Sequence, residues 1–127
     1  MNKLAHEELT GRIIVCALEV HKALGPGFLE SIYEAAMLVE LKRAGLKVES
    51  QKRLPILYRE ILVGEHRLDL LVEDKIVVEL KAISELEDIH FAIVRSYLKA
   101  VGLEHGLLFN FATMSLTVKR VILQIHS

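Results

Sequence analysis

Two acidic residues and a lysine occur close together in residues 68–81, which read LDLLVEDKIVVELK. If the polar residues 73–75 form the turn of a β-hairpin, antiparallel register sets Asp69 directly opposite Glu79. Side chains alternate along a strand, so Lys81 shares the face of Glu79. We therefore expect Asp69, Glu79 and Lys81 to converge on one face of a sheet.

Such a group has a recognisable chemistry. Two carboxylates this close repel each other in a poorly hydrated setting, so at neutral pH they need a proton or a cation between them. Hard oxygen ligands suit Mg²⁺ or Mn²⁺, which keep positions for water and phosphate oxygens. A lysine beside them would orient a nucleophile and offset charge in the transition state, a layout suited to phosphodiester hydrolysis. The alternative is an exposed ladder of salt bridges, which the apolar flanking residues disfavour.

Two helices precede this hairpin. Apolar residues recur at helical spacing from Glu7 to Leu24, and a second helix is predicted from Phe28 to Ala44, with Gly45 placed to end it. Residues 25–27, Gly-Pro-Gly, break the pattern and predict a tight corner. The predicted buried faces are Leu9, Ile13, Cys16, Ala17, Val20 and Leu24 in the first helix, and Phe28, Ile32, Ala35, Ala36 and Val39 in the second.

After Gly45 the period becomes that of strands, predicted as a meander over residues 48–58, 61–63, 68–72 and 76–80. Pro55 cannot donate a ladder hydrogen bond, so the first strand should lie at a sheet edge. The last two are almost continuously apolar and should be central, with both faces covered.

A third helix is predicted after the hairpin. Ser84 and Glu87 have the spacing of a capping box at its start, and Gly102 is placed to end it. Two more strands, within residues 106–112 and 116–125, should flank a turn at residues 113–115. The predicted buried face of the helix is Leu86, Ile89, Ile93, Tyr97 and Ala100.

Length and composition set further limits. The chain has 127 residues and is 52% hydrophobic, so we expect one domain over residues 1–127. Sixteen basic against seventeen acidic residues give a net charge of -1, so any phosphate-binding surface must be local. No signal peptide is evident, and no apolar stretch approaches the roughly 18 residues that span a bilayer. With Cys16 as the single cysteine, a reducing, cytoplasmic setting without a membrane partner fits best.

Asp69, followed ten residues later by Glu79-Leu80-Lys81, resembles the signature of the PD-(D/E)XK nucleases, without the proline before the aspartate. The run LGPGFLESIYE at residues 24–34 resembles the GxxExxY proteins, a bacterial and archaeal group within that superfamily. The similarity extends through LPILYR, RLDLLVEDKIVVELKA, SYLKAVG and GLLFNF. It implies an α/β fold with a restriction-endonuclease-like core, in which helices flank a mixed central β-sheet and the two N-terminal helices form a corner.

The resemblance also implies roles for individual residues. Asp69 and Glu79 would be metal ligands, Leu80 would add its backbone carbonyl, and Lys81 would be the catalytic lysine. Glu30 would be a helix carboxylate near the metal and part of the catalytic set. In the first turn of the second helix, Glu30 would also be stabilised by amides and the helix dipole without any metal, so both interpretations stay open.

Three accessory residues complete the candidate site. Tyr33 either hydrogen-bonds to the site or anchors a substrate, or it is a half-buried aromatic residue with its hydroxyl in water. Many relatives carry Gln-x-x-x-Tyr on the helix after the E-x-K strand; here Tyr97 is kept, but Ile93 stands in place of glutamine. Isoleucine cannot hydrogen-bond to a metal-held water or a nucleobase. His90, one turn earlier on the same side, is the candidate substitute.

Three functions follow as hypotheses. The first is a nuclease that depends on Mg²⁺ or Mn²⁺ and acts on DNA or RNA. The second is a catalytically weakened protein of the same fold that binds nucleic acid or a protein partner, as Ile93 and the lack of basic excess suggest. The third is a homodimeric interaction module, because so small and apolar a chain can leave a hydrophobic patch exposed.

Overall fold

The computed structural model describes residues 3–124, with side chains from residue 6 onward. Residues 1–2 of the N-terminal segment and residue 125 of the last predicted strand lie outside this range. No helix within it is long and apolar enough to cross a membrane. The elements in chain order are α1 (Lys3–Leu24), α2 (Glu30–Arg43), β1 (Val48–Tyr58), β2 (Ile61–Val72), β3 (Ile76–Lys81), α3 (Asp88–Val101), β4 (His105–Asn110) and β5 (Thr117–Ile122).

Within residues 3–124 the strands form one five-stranded mixed sheet in chain order. The pairs β1–β2, β2–β3 and β4–β5 are antiparallel, whereas β3 and β4 are parallel and are connected through α3. β1 lies at an edge, as Pro55 predicts, and β3 is in the centre. The predicted break between residues 63 and 68 is wrong: β2 runs unbroken there because β1 pairs with it along this stretch.

Helices cover both faces of the sheet, so the predicted α/β fold with a restriction-endonuclease-like core is confirmed. One hydrophobic cluster joins α1 and α2 to the first face, and a second joins α3 to the other. Along β3 the side chains alternate between them: Ile76, Val78 and Leu80 belong to the first cluster and Val77 to the second. Both faces of the central strand are therefore buried, as its apolar sequence predicts.

The corner between α1 and α2 is held by glycine geometry and by a tyrosine. Gly25 and Gly27 have φ angles of 68° and 114°, values that favour glycine. The Tyr33 hydroxyl donates to the Gly25 carbonyl at 2.6 Å and accepts from the Phe28 amide at 3.2 Å. The Tyr33 ring also stacks on Phe111, with a centroid distance of 4.5 Å.

These contacts replace most of the predicted buried face of α2, of which Ala36 alone packs, partly buried, against the first cluster. Tyr33, Met37 and Leu41 are fully buried, whereas Phe28, Ile32 and Val39 are 41–57% exposed. Because its hydroxyl is hydrogen-bonded inside the corner, Tyr33 can be buried like an apolar residue. The buried face of α2 therefore includes Tyr33 and differs from the face that apolar spacing alone predicts. The alternative in which the Tyr33 hydroxyl lies in water is also wrong.

The start of α3 likewise differs from its prediction. Glu87 is the N-cap rather than the fourth residue of a capping box that begins at Ser84. His90 completes the box, because its Nδ1 accepts from the Glu87 amide at 2.8 Å. The preceding segment is fixed by buried Asn110, which bonds to the Ile83 amide and carbonyl. The buried residues of α3 are Val94, Tyr97 and Leu98, and Ile89 is 57% exposed, so the predicted face is only partly right.

Candidate metal centre

The hairpin of β2 and β3 brings the two predicted carboxyl groups together. Its turn is residues 73–75, with Val72 opposite Ile76, and the pairing ends at Leu70 and Val78. Beyond that pair a side-chain hydrogen bond takes the place of a backbone one: Asp69 Oδ2 accepts from the Leu80 amide at 2.9 Å. The predicted turn and the register from Val72 to Leu70 are therefore confirmed, but the two strands separate before the predicted pair of Asp69 with Glu79 forms.

An irregularity in β1 and β2 exposes Asp69 at this point. Leu70 packs in the first hydrophobic cluster but Leu68 packs in the second, although residues two apart in a regular strand share a face. Opposite Asp69, between the pairs formed by residues 50 and 52, Gln51 adopts a φ angle of 51°. Such a left-handed conformation is uncommon for a residue other than glycine and is frequent at functional sites.

Glu79 is buried beside this break. Its side chain is 5% exposed, and its Oε1 atom has no hydrogen-bond partner among the described residues. Burial is the main reason that the pKa of Glu79 rises to about 9, and the adjacent Asp69 carboxyl raises it further. Lys81 acts in the opposite direction by favouring the carboxylate. Glu79 therefore holds a proton at neutral pH unless a cation takes the place of that proton.

Lys81 is the last residue of β3, half-buried next to the point where the strands separate. Its backbone carbonyl accepts from the Phe111 amide at 2.9 Å, which fixes the end of the strand. The alternation along β3 places Lys81 and Glu79 on the α3 side of the sheet. The structure thus brings together Asp69, Glu79 and Lys81.

A small cleft opens between α2 and this end of the sheet. Its volume is about 160 Å³, and it is lined by Glu30, Ser31, Glu34, Gln51, Asp69 and Leu80. The second helix begins at Glu30 rather than at the predicted Phe28, so Glu30 lies in its first turn, as predicted, and it lines this cleft. The Gln51 side-chain amide donates to Glu34 Oε1 at 2.7 Å and to Asp69 Oδ1 at 3.4 Å. Burial, with Asp69 and Glu30 adding to it, raises the pKa of Glu34.

Glu34 and Gln51 were missed by the sequence analysis. Glu34 lies one helical turn after Glu30, and that spacing is a signal that could have placed both carboxylates on one helix face. For Gln51 no comparable signal exists, because its approach to Asp69 depends on a backbone conformation that strand periodicity does not predict. Helix α2 therefore presents two carboxylates to the cleft, of which Glu34 is the one linked to Asp69 through Gln51.

The accessory residues lie in different places. Tyr97 is 8% exposed and close enough to the carboxyl pair that, after burial, Glu79 and Asp69 contribute to raising its pKa to about 12. The ring of His66 packs edge-on against Tyr97 at 4.8 Å. Tyr33 and His90, by contrast, bind backbone groups at the helix corner and the α3 cap. The Tyr33 hydroxyl and the His90 Nδ1 atom are therefore engaged in these local hydrogen bonds.

The donor atoms can be tested against a divalent ion. Within the described part of the chain, no group of three or more histidine, cysteine or acidic residues is arranged to hold a metal. Magnesium, however, commonly takes one or two protein carboxylates and fills its other positions with water and phosphate oxygens. Asp69 and the adjacent Glu79, whose buried Oε1 atom has no partner among the described residues, could supply these one or two carboxylates. The residues present therefore fit a hard divalent cation with an incomplete protein shell.

A mixed sheet with helices on both faces places the chain among α/β proteins of the restriction-endonuclease-like class. A family model described as the PD-(D/E)XK nuclease superfamily matches residues 7–121, and the chain therefore belongs to this superfamily. Nucleases of this superfamily generally use divalent metals. No curated protein matches the chain significantly.

The fold is also similar to that in the crystal structure of SSO0001, with a TM-score of 0.61 and 18% sequence identity. The alignment covers 97% of this chain but 62% of that one, so the chain spans less than two thirds of the length of SSO0001. At this level of identity the likeness concerns the fold alone.

Proposed function

We propose that this protein hydrolyses phosphodiester bonds of DNA or RNA in a reaction that requires Mg²⁺ or Mn²⁺. The observation that carries the proposal is the buried Glu79 carboxyl next to Asp69, with one oxygen that has no partner among the described residues. A buried acidic pair is costly unless a proton or a cation separates the two groups. A divalent ion bound by the two carboxylates would offset the repulsion between them.

In this proposal Asp69, Glu79 and the Leu80 carbonyl hold the metal, and the carboxylates of α2 act from across the cleft through water. Glu30 is the α2 carboxylate expected from the sequence, and Glu34 joins it because it reaches Asp69 through Gln51. A bound divalent ion would polarise the scissile phosphate and lower the pKa of an attacking water.

Lys81 has a separate task in the proposal. Because its ammonium group favours the ionised form of Glu79, it stabilises the carboxylate that the metal requires. It would also orient the attacking water and offset negative charge that develops on the phosphate. Tyr97, packed beside the carboxyl pair, would support the geometry of this group.

Cleavage of labelled single- and double-stranded DNA and RNA with Mg²⁺ or Mn²⁺ tests the proposal. Glu79→Gln and Lys81→Met should each lower the rate at least 100-fold, since each removes a group that acts in the transition state. Matched controls come from the turn at the other end of the same hairpin: Asp74→Asn and Lys75→Ala should cleave as the wild type does. Absence of metal-dependent cleavage of every substrate, or full activity in the Glu79 and Lys81 variants, would contradict the proposal.

A second candidate is a catalytically weakened protein of this fold that binds nucleic acid or a protein partner. The observation that favours it is Ile93, which packs at the margin of the second cluster where relatives carry glutamine. In that case Mn²⁺ should bind poorly. Calorimetry that finds tight Mn²⁺ binding in the wild type and none in Asp69→Ala would count against this candidate.

Homodimer formation is a third proposal. The tip of the β1–β2 hairpin exposes Leu57, Tyr58, Ile61 and Leu62, each at least 61% accessible. Exposed apolar patches often mark interfaces. Light scattering should give a dimer mass for the wild type and a monomer mass for Leu62→Lys; a strictly monomeric wild type would refute it.

We also propose one domain over residues 1–127 and a reducing, cytoplasmic location, since Cys16 is a buried free thiol.

A further inference from the structure

Two arginines face each other on β1 and β2 close to the candidate metal centre. Arg53 and Arg67 are directly opposite partners in the antiparallel pair, and both are exposed. Like charges in this position destabilise a sheet unless an anion lies between them. Glu65 reaches Arg53 at 3.7 Å, but Arg67 forms no ion pair with the residues that the structure describes. The pair therefore retains positive charge that the described residues do not neutralise.

This pair belongs to a part of the sheet that extends past β3, which we call the β-arm: residues 53–58 of β1 and 61–67 of β2. Pairing between β2 and β3 ends at Leu70, so within residues 3–124 the β-arm has no third strand beside it. β2 and β3 are antiparallel, so the β-arm projects from the end of the sheet where β3 finishes at Lys81. The β-arm thus begins next to the candidate metal centre.

The arginine side chains lie on the side of the sheet where the cleft opens. Leu54 and Leu68 both pack in the second hydrophobic cluster, on the α3 side. Alternation along each strand then directs Arg53 and Arg67 to the opposite side, which α2 covers. Arg67 is two residues from Asp69 on the same strand, roughly 7 Å along it. The long, flexible side chain of Arg67 can therefore reach a phosphate that lies next to a phosphate bound at Asp69.

We propose that Arg53 and Arg67 bind a backbone phosphate of nucleic acid adjacent to the phosphate at the candidate metal centre, so that the β-arm positions the substrate strand. The proposal rests on the proposed nuclease function. Guanidinium groups suit phosphate because their donors match two phosphate oxygens at once. The chain has a net charge of -1 and presents acidic residues in the cleft, so a local cationic pair has to supply the attraction for a polyanion.

The test measures binding of a fluorescein-labelled oligonucleotide, as a single strand and as a duplex, by anisotropy at several salt concentrations. Calcium replaces magnesium, and a gel confirms that each strand stays intact. Each phosphate contact contributes about 0.7 to 0.9 to the slope of log affinity against log salt concentration. At about 0.1 M salt, loss of one such contact lowers the affinity about fivefold. Because the two arginines share one phosphate, the double variant should lose about fivefold in affinity and about 0.7 to 0.9 in slope, and Arg53→Ala and Arg67→Ala should each show part of that loss.

Arg43→Ala is the matched control. Arg43 is exposed and has one acidic neighbour at 3.8 Å, as Arg53 has at 3.7 Å, but it lies at the far end of α2 from the cleft. Its removal should leave affinity and slope unchanged, and thermal unfolding should show that every variant is folded. An unchanged double variant, an equal loss in Arg43→Ala, or a wild type that binds no oligonucleotide would overturn the proposal.

The two proposals can fail separately. If the wild type cleaves with Mg²⁺ but the double arginine variant binds and cleaves normally, the β-arm proposal is wrong and the nuclease proposal stands. If the arginine variants lose affinity but no metal supports cleavage, the β-arm still binds nucleic acid and the proposed catalytic function is wrong.

Discussion

Replacement of Glu79 by glutamine should stabilise the metal-free protein at neutral pH. Glu79 has a pKa of about 9 in the folded protein, compared with the usual 4.5, because it is buried beside Asp69. The folded state therefore binds a proton that the unfolded chain releases. The stability that this proton provides is complete below pH 4.5 and is lost progressively as the pH rises towards 9. Glutamine keeps the shape of the side chain but does not titrate.

The magnitude follows from the two pKa values. Each pH unit above 4.5 is worth about 1.4 kcal/mol, so holding the proton at pH 7 lowers the free energy of unfolding by about 3 kcal/mol. Glu79→Gln should therefore be more stable than the wild type by up to about 3 kcal/mol at pH 7, with most of the difference gone at pH 5. Urea denaturation followed by circular dichroism, in buffers with chelator from pH 5 to 8, measures this difference directly.

Divalent ions provide the second half of this test. A cation that binds Asp69 and Glu79 displaces the proton, so calorimetry in buffers of different ionisation enthalpy should detect about one proton released per ion at pH 7. Glu79→Gln should release none. A matched change at the exposed Glu65, on β2, should leave the pH dependence of the wild type in place. A stability difference between wild type and Glu79→Gln that is the same at pH 5 and pH 8 would refute the reasoning.

Two further predictions concern the packing that holds the candidate site. Asn110→Ala should lower the free energy of unfolding by about 2 to 3 kcal/mol, because the buried amide bonds to both backbone groups of Ile83; an unchanged denaturation midpoint would contradict this. Gly106→Ala should cost about 1 to 3 kcal/mol, since a Cβ there would lie 2.9 Å from Val94 Cγ1. The control is Gly64→Ala, where a Cβ meets nothing within 4 Å, and equal midpoints for both glycine variants would rule out the steric argument.

The central part of the site could be predicted from sequence because its geometry is local. A three-residue polar turn between two apolar strands leaves one register, and that register carries the pairing to Leu70 and Val78, the neighbours of Asp69 and Glu79. The burial of β3 follows in the same way from its almost continuous apolar sequence. Each of these features depends on neighbours within 15 residues along the chain, where strand period and turn chemistry act together.

Features that depend on distant partners could not be predicted. The buried face of α2 is decided by Tyr33, whose hydroxyl bonds inside the corner and whose ring stacks on Phe111, 78 residues later in the chain. The start of α3 is decided by Asn110, which fixes Ile83 from β4. In both cases a hydrogen bond to a remote backbone or a contact with a remote ring outweighs the apolar spacing on which the prediction was based.

The same limit explains why Gln51 was missed, and Gln51 shows how the site is opened. A regular ladder from Gln51 to Asp69 would have used their backbone groups in pairing and kept the strand alternation intact. Instead Gln51 takes a left-handed conformation, its amide binds Glu34 and Asp69, and β2 changes face next to Asp69. The strained residue thus frees the aspartate from the sheet and links it to α2, which turns a hairpin with two adjacent carboxyl groups into a cleft that a ligand can enter.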